Sequence, residues 1–203
     1  MNLPNKLTIL RIILIPVMVV VAILNIRGNV QGYFWSIPIA YWILNGIFVI
    51  ASFTDYLDGT IARKTNCVTT FGKFADPLAD KILVLAAMMI LLEMGKIPAW
   101  IPIIIMAREF IVSGYRLVEV EKGGKVVAAS IWGKIKTVTQ IFAIIAMFLD
   151  VNIFGHFLAN SLTGWALFIN VTSTVMLIIA VLATVFSGWD YLKDSKNLFE
   201  EKK

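Results

Sequence analysis

Asp55 to Asp80 reads DYLDGTIARKTNCVTTFGKFADPLAD, and these 26 residues decide the fold. Four aspartates fall in the stretch as two close pairs, Asp55 with Asp58 and Asp76 with Asp80. Gly59, Ala62, Arg63 and Gly72 lie between the pairs. One long apolar run leads into the stretch and another leads out of it. Carboxylates set against such runs are costly to bury unless a cation offsets them. A lone aspartate at a helix end is usually a cap or a solvated charge, but that does not account for two pairs. If the flanking runs end as helices, Asp55 and Asp58 stand at i,i+3 and Asp76 and Asp80 at i,i+4, so each pair shares a face. Two antiparallel neighbours, joined by one short loop holding the glycines and Arg63, would bring the pairs together. Four converging carboxylates would repel, and some would stay protonated without a cation. Mg²⁺ and Mn²⁺ prefer such oxygen donors. Gly59 and Gly72 permit close approach of a ligand to the backbone, and the planar fork of Arg63 suits a diphosphate. The stretch therefore predicts a divalent-metal site, with two metals, built for phosphoryl transfer.

Composition says what surrounds it. The 203 residues are 59% hydrophobic and 15% charged, with a mean hydropathy of +0.84. A soluble domain carries about one-quarter charged residues, so the excess apolar content points to a bilayer. No signal peptide is expected, because the N-terminus MNLPNKLT has one lysine and no small-residue cleavage site. The single cysteine, Cys67, excludes an intramolecular disulfide. The net charge of +5 fits anionic headgroups or phosphorylated substrates; there is no soluble domain to carry a nucleic-acid surface. The only histidine, His156, falls in a loop on the side away from the aspartates.

Six apolar segments follow in order. The first, about Leu7 to Ile26, carries Asn5, Thr8 and Arg11 at three-residue steps on one arc, with Pro4 in its first turn and Pro16 as a potential kink. Asn5 and Thr8 suit a helix start, and Arg11 suits either a phosphate or the boundary of the membrane. The second, Gln31 to Thr54, is uncharged and delivers Asp55 to its end. The third starts at the second aspartate pair, with Pro77 in its first turn and Asp76 as N-cap, and runs through Leu92. The fourth, about Pro98 to Val118, is interrupted by Arg108, Glu109 and Arg116. The fifth, about Ile131 to Leu149, carries Lys134, Lys136, Thr137 and Gln140 in its first half. The sixth, about Leu162 to Phe186, is uncharged, and a charged tail follows from residue 190 to 203.

With six spans, 14 basic residues fall at the end that holds the N-terminus, the aspartate stretch and the tail, against two, Arg27 and Lys96, at the other. The positive-inside rule then puts both termini and the aspartates in the cytosol. The expectation is an all-α polytopic membrane protein of six transmembrane helices, a single membrane domain over residues 1–203 with residues 190–203 as a cytosolic tail. It would sit in the cell membrane with its site facing the cytosol.

The stretch fits D-x2-D-G-x2-A-R-x8-G-x3-D-x3-D at all eight fixed positions. It resembles the signature of the CDP-alcohol phosphatidyltransferase family. The resemblance implies that Asp55, Asp58 and Asp76 ligate one metal, and that Asp55, Asp76 and Asp80 ligate or flank a second. It implies Asp80 as general base, and Gly59, Ala62, Arg63 and Gly72 along the cytidine diphosphate pocket, with Thr8 a further donor-site candidate. Members are typically homodimers. The flanks NLPNKLTILRI, AREFIVSGYR and WGKIKTVTQ resemble those members that use CDP-diacylglycerol as donor and sn-glycerol 3-phosphate as acceptor. A phosphorylated acceptor needs a basic pocket, for which Arg108, Arg116, Lys134, Lys136 and Lys81 are the candidates; for each lysine the alternative is snorkelling to the headgroups. Within the family these cations favour a phosphorylated alcohol over serine or choline, and leave inositol phosphate and cardiolipin chemistry open. An intramembrane prenyltransferase would space its acidic motifs far apart. A cation transporter would carry polar residues through the full membrane depth.

Overall fold

The computed structural model describes residues 3–65, 70–121, 131–159 and 161–194. Within its helices, the side chains at 3, 4, 56–65, 70, 71, 73, 74, 117–121, 192 and 194 lie outside the description. Cys67, the glycines of the loop 122–130 and the end of the tail also lie outside it. Among the described residues there are six α-helices: α1 (Leu3–Ile26), α2 (Ile39–Thr65), α3 (Thr70–Glu93), α4 (Trp100–Glu121), α5 (Ile131–Leu149) and α6 (Gly164–Asp194). A short hairpin, β1 (Tyr33–Phe34) with β2 (Ile37–Pro38), precedes α2. A 3₁₀ turn, His156–Ala159, precedes α6.

Each helix follows from an apolar run long enough to bury a stripe on its neighbours. Met18, Phe48, Leu83, Ile105, Met147 and Leu177, one from each helix in turn, are almost wholly enclosed and belong to one core. Phe48 and Phe148 pack ring to ring across α2 and α5, with centroids 6.3 Å apart. α1 runs unbroken through Pro16. The outward faces are apolar too. Val20, Ile50, Ile103, Phe110, Phe142 and Phe168 are each more than half exposed, whereas Arg11, Lys136, Gln140, Asp150 and Asn170 are buried. Polar inside and apolar outside is the pattern of a chain whose solvent is hydrocarbon. Asn5–Ile26, Ile131–Leu149 and Gly164–Tyr191 are long and apolar enough to cross a membrane, and Ile39–Asp55 is a shorter apolar helix. α3 and α4 carry charges within their length, Asp76, Asp80 and Lys81 on one and Arg108, Glu109 and Arg116 on the other.

Several boundaries differ from expectation. The helix expected from Gln31 starts only at Ile39, because Tyr33 pairs with Pro38 and Phe34 with Ile37 in a hairpin. Its two-residue turn puts Trp35 at φ 52° and Ser36 at φ 62°, the left-handed pair that closes a tight hairpin. Gly32 fits beneath it, since a Cβ there would meet Ile39 Cδ1 at 2.7 Å. At the other end α2 does not stop at the aspartates. It continues to Thr65, so the residues from Asp55 to Arg63 are helix and not loop. Glycine within a helix costs only about 1 kcal/mol relative to alanine, and Ala62, Arg63 and Lys64 are strong helix formers. The third difference is in α3, which begins at Thr70 and not at Asp76. Pro77 is interior, and Asp76 is therefore not an N-cap. The backbone bond that Pro77 forgoes lies at the polar end of the helix, where a freed carbonyl is least costly. The sixth helix also outruns its expected end and reaches Asp194.

The end of the bundle away from the aspartates is held by a buried polar cluster. Lys96, in the α3–α4 turn, is 2% exposed. Its ammonium donates to the Met147 and Phe148 carbonyls at 3.0 and 3.3 Å and to the Asp150 carbonyl. It also sits 3.7 Å from the centre of the Tyr41 ring. Lysine thus satisfies the last carbonyls of α5, which have no partner within the helix. Burial pushes its pKa down, to about 7, and the Asp150 carboxylate pulls the other way. Three carbonyl acceptors and an aromatic face favour the charged form. The Asp150 carboxylate accepts from Asn152 N at 2.9 Å, Asn170 Nδ2 at 2.8 Å and Ser173 Oγ at 2.6 Å. His156 lies nearby in sequence, its Nε2 3.0 Å from Ser161 Oγ.

Candidate active site

The long α2 and the early start of α3 have a joint consequence. Positions 55, 58, 59, 62 and 63 recur at i, i+3, i+4, i+7 and i+8, which is one face of α2. Positions 72, 76 and 80 recur at steps of four, one face of α3. The eight signature positions are therefore two helix faces, not two helix ends joined by a loop. The side chains of Asp58, Ala62 and Arg63, and the surroundings of Gly59, lie outside the described residues; Gly72 is buried.

α1 supplies the partners of two of the aspartates. Arg11 is wholly buried; its Nη1 lies 2.9 Å from Asp55 Oδ1, and its Nε donates to the Ala51 carbonyl one turn earlier on α2 at 3.3 Å. Thr8, one turn from Arg11 on the same arc, is 1% exposed and donates its hydroxyl to Asp76 Oδ1 at 2.5 Å. Both residues are interior to α1 and neither is a helix cap. Each contact takes Oδ1, so each carboxylate has a second oxygen with which to meet a ligand. Asp55 remains 40% exposed at its side chain. Asp76 and Asp80 each lie within electrostatic reach of Asp55. Among the described residues no three acidic or sulfur- or imidazole-bearing side chains form a closed metal site. The donor set itself, carboxylate oxygens on adjacent helix faces, fits a hard divalent ion.

Asp80 opens onto a cavity of about 660 Å³, within the usual range for a small-molecule site. α3 contributes Asp80 and Lys81; α4 contributes Arg108, Glu109 and Arg116; α5 contributes Lys134, Lys136 and Gln140; α6 contributes Tyr191. All five cations expected at an acceptor phosphate thus line one space with Asp80. With only Asp80 and Glu109 to balance them, the described lining carries a formal charge of +3. Glu109 Oε1 is shared, 3.3 Å from Arg108 Nη1 and also paired with Lys136. Lys81 donates to Ser113 Oγ at 2.5 Å. Arg116 Nη2 donates to the Tyr191 hydroxyl at 2.5 Å, and Arg108 Nη2 donates to Ser187 Oγ. Both guanidinium groups lie over the Tyr191 ring, at 5.7 Å for Arg108 and 5.3 Å for Arg116. Gly188 makes room for this arrangement, since a Cβ there would lie 3.2 Å from Arg108 Cγ. The guanidinium groups are held by neutral hydroxyls, an aromatic face and one shared carboxylate, so most of their charge is left for an anion in the cavity. Lys136 is buried, which a snorkelling lysine would not be.

Residues 1–189 match the family profile described as CDP-alcohol phosphatidyltransferase. The chain belongs to the CDP-alcohol phosphatidyltransferase family. Three similar relatives carry the name CDP-diacylglycerol–glycerol-3-phosphate 3-phosphatidyltransferase. That of Bacillus subtilis is 45% identical over 97% of this chain and 95% of its own. That of Rickettsia bellii is 37% identical over 98% and 97%, and that of Haemophilus influenzae 35% over 96% and 94%. In this CDP-alcohol phosphatidyltransferase, the cavity draws on α4, α5 and α6, well beyond the signature. Glu109, Gln140 and Tyr191 line it and Ser187 holds Arg108; none of the four is among the expected site residues.

Proposed function

We propose that the chain is a phosphatidylglycerolphosphate synthase, moving a phosphatidyl group from CDP-diacylglycerol to sn-glycerol 3-phosphate with release of CMP. The observation that carries this reading is the cavity in which Asp80 faces five cations. A dianionic phosphate is drawn to Arg108, Arg116, Lys134, Lys136 and Lys81, and its position sets the primary hydroxyl of the same molecule toward Asp80. The Asp80 carboxylate takes that proton as the hydroxyl oxygen bonds to the lipid-side phosphorus, and the bond from phosphorus to the CMP oxygen breaks. Asp55, Asp58, Asp76 and Asp80 would hold Mg²⁺ or Mn²⁺, at two positions, whose charge would neutralise the diphosphate and the departing CMP. Gly59, Ala62, Arg63 and Gly72 line the donor nucleotide. Thr8 acts through Asp76 and Arg11 through Asp55, each orienting a carboxylate that would otherwise swing free.

On this reading all six helices cross the cell membrane, with both termini and the cavity on the cytosolic side. The loop charges support that side, since 14 basic residues fall there. A water-soluble acceptor then meets a lipid-borne donor at the membrane surface, and the working unit is a homodimer in phosphatidylglycerol biosynthesis. The test is CMP release by purified protein given CDP-diacylglycerol and a panel of alcohols: glycerol 3-phosphate, inositol phosphate, serine and phosphatidylglycerol. Glycerol 3-phosphate is expected to release CMP and a divalent chelator to stop it. Release with another alcohol alone would reassign the substrate, and chelator-insensitive turnover would remove the metal. Thr8→Val should raise the Mg²⁺ or Mn²⁺ concentration for half-maximal rate by about tenfold, the usual loss when a ligand's outer partner goes. Thr8→Ser should stay near wild type. An unchanged metal requirement in Thr8→Val would show that the hydroxyl does not orient Asp76.

A further inference from the structure

Among the described residues, Gln140 is the uncharged side chain of the cavity lining that keeps a buried polar atom without a hydrogen-bond partner. Gln140 follows Lys136 by four residues on α5, on the same face and about 6 Å further along the axis. It lines the same cavity as Asp80, Lys136 and Ser52, yet the residue is only 1% exposed. Its Nε2 has no hydrogen-bond partner among the described residues. A buried amide donor left unpaired is costly, and native proteins rarely keep one without a reason. The cavity wall gives none, because Val84, Ile105, Met106 and Ile141, which share it, are apolar, and a leucine would suit such a wall.

The acceptor chemistry supplies a reason. Glycerol 3-phosphate has three polar ends. The phosphate takes the cations and the primary hydroxyl takes Asp80. Lys136 and Asp80 lie within reach of each other's charge, so one small molecule can touch both. The secondary hydroxyl sits on the carbon between. A charged partner there would compete with the phosphate or with Asp80. A carboxamide is neutral and offers both a donor and an acceptor to a hydroxyl. We infer that Gln140 is the specificity-determining residue that hydrogen-bonds the secondary hydroxyl of the acceptor and selects a vicinal hydroxy phosphate over one lacking that group. The inference rests on the reading that the acceptor is glycerol 3-phosphate.

The test pairs two acceptors with two proteins. 3-Hydroxypropyl phosphate keeps the phosphate and the primary hydroxyl and lacks only the secondary one. Wild type should favour glycerol 3-phosphate in kcat/KM by about 10²-fold or more, as sites built to bond a hydroxyl reject its absence. Gln140→Leu should lose most of its rate with glycerol 3-phosphate and little with 3-hydroxypropyl phosphate, narrowing the preference to about tenfold or less. An equal loss with both acceptors would make Gln140 a packing residue and overturn the inference. Should Gln140→Leu fail to fold, wild type still decides, since equal use of both acceptors by wild type overturns it as well. Wild type that releases CMP with neither phosphate, but with another alcohol, overturns the substrate reading itself and this inference with it.

Discussion

Replacing Asp80 by asparagine is expected to lower CMP release by roughly 10²–10⁴-fold, the range over which a positioned base contributes, and to leave the protein folded. Asparagine keeps the shape of the side chain but cannot take a proton. Asp80 is the aspartate that lines the cavity, so the loss should fall on kcat more than on acceptor KM. Stability should change little, because the repulsion from Asp55 that is relieved is offset by the attraction to Arg11, Lys136 and Lys81 that is lost with it. Thermal unfolding in detergent and CMP release on the same preparation measure both. A mutant within tenfold of wild type would remove Asp80 as the base. A mutant that is inactive because it no longer folds would say nothing for catalysis and would give Asp80 a structural role instead.

Asp150→Ala should do the reverse. Asp150 is fully buried at the far end of the bundle, where its carboxylate accepts from α6 through Asn170 and Ser173 and from the backbone of Asn152. Removing it leaves buried donors without an acceptor, at a cost of about 3 kcal/mol for charge-assisted bonds lost together. For a chain of this size that corresponds to a fall of roughly 6–12 °C in Tm. CMP release per folded molecule should be unchanged, because none of these residues lines the aspartate cavity. Asp150→Asn, which keeps the shape and some acceptor capacity, should fall between the two. A mutant with wild-type Tm would show that the cluster is not a clasp, and a mutant with intact Tm and lost turnover would tie it to the chemistry.

The sequence was most informative where a residue's cost is local. An aspartate beside an apolar run is expensive wherever it lies, so the two pairs stood out, and i,i+3 and i,i+4 spacing told which could share a face. The apolar runs are long enough that α5 matches its expected bounds and α1, α4 and α6 differ only at their ends. The hairpin before α2 was illegible because Trp35–Ser36 carries none of the Asn-Gly or Gly signals of its turn type. The continuation of α2 through Gly59 and of α3 through Pro77 was illegible for a related reason. Glycine and proline mark the ends of helices only on average, and tertiary packing overrides them.

What the sequence alone determined is the helical, strongly apolar character of the chain and the helical spacing of the four aspartates, because hydropathy and helical period are properties of the chain itself. Only the tertiary structure decided what each polar side chain faces. Thr8 read as a helix-start residue or a donor-site candidate and Arg11 as a phosphate ligand or a boundary charge, and packing of α1 on α2 and α3 turned them to Asp76 and Asp55. Five cations on three helices could each have reached for headgroups, and the packing of α3, α4, α5 and α6 gathered them around Asp80. Tyr191 and Ser187 had no signal to link them with arginines some 75 residues earlier. The physical reason is that helical period fixes which residues share a face, while which face meets which neighbour depends on packing among all the helices at once.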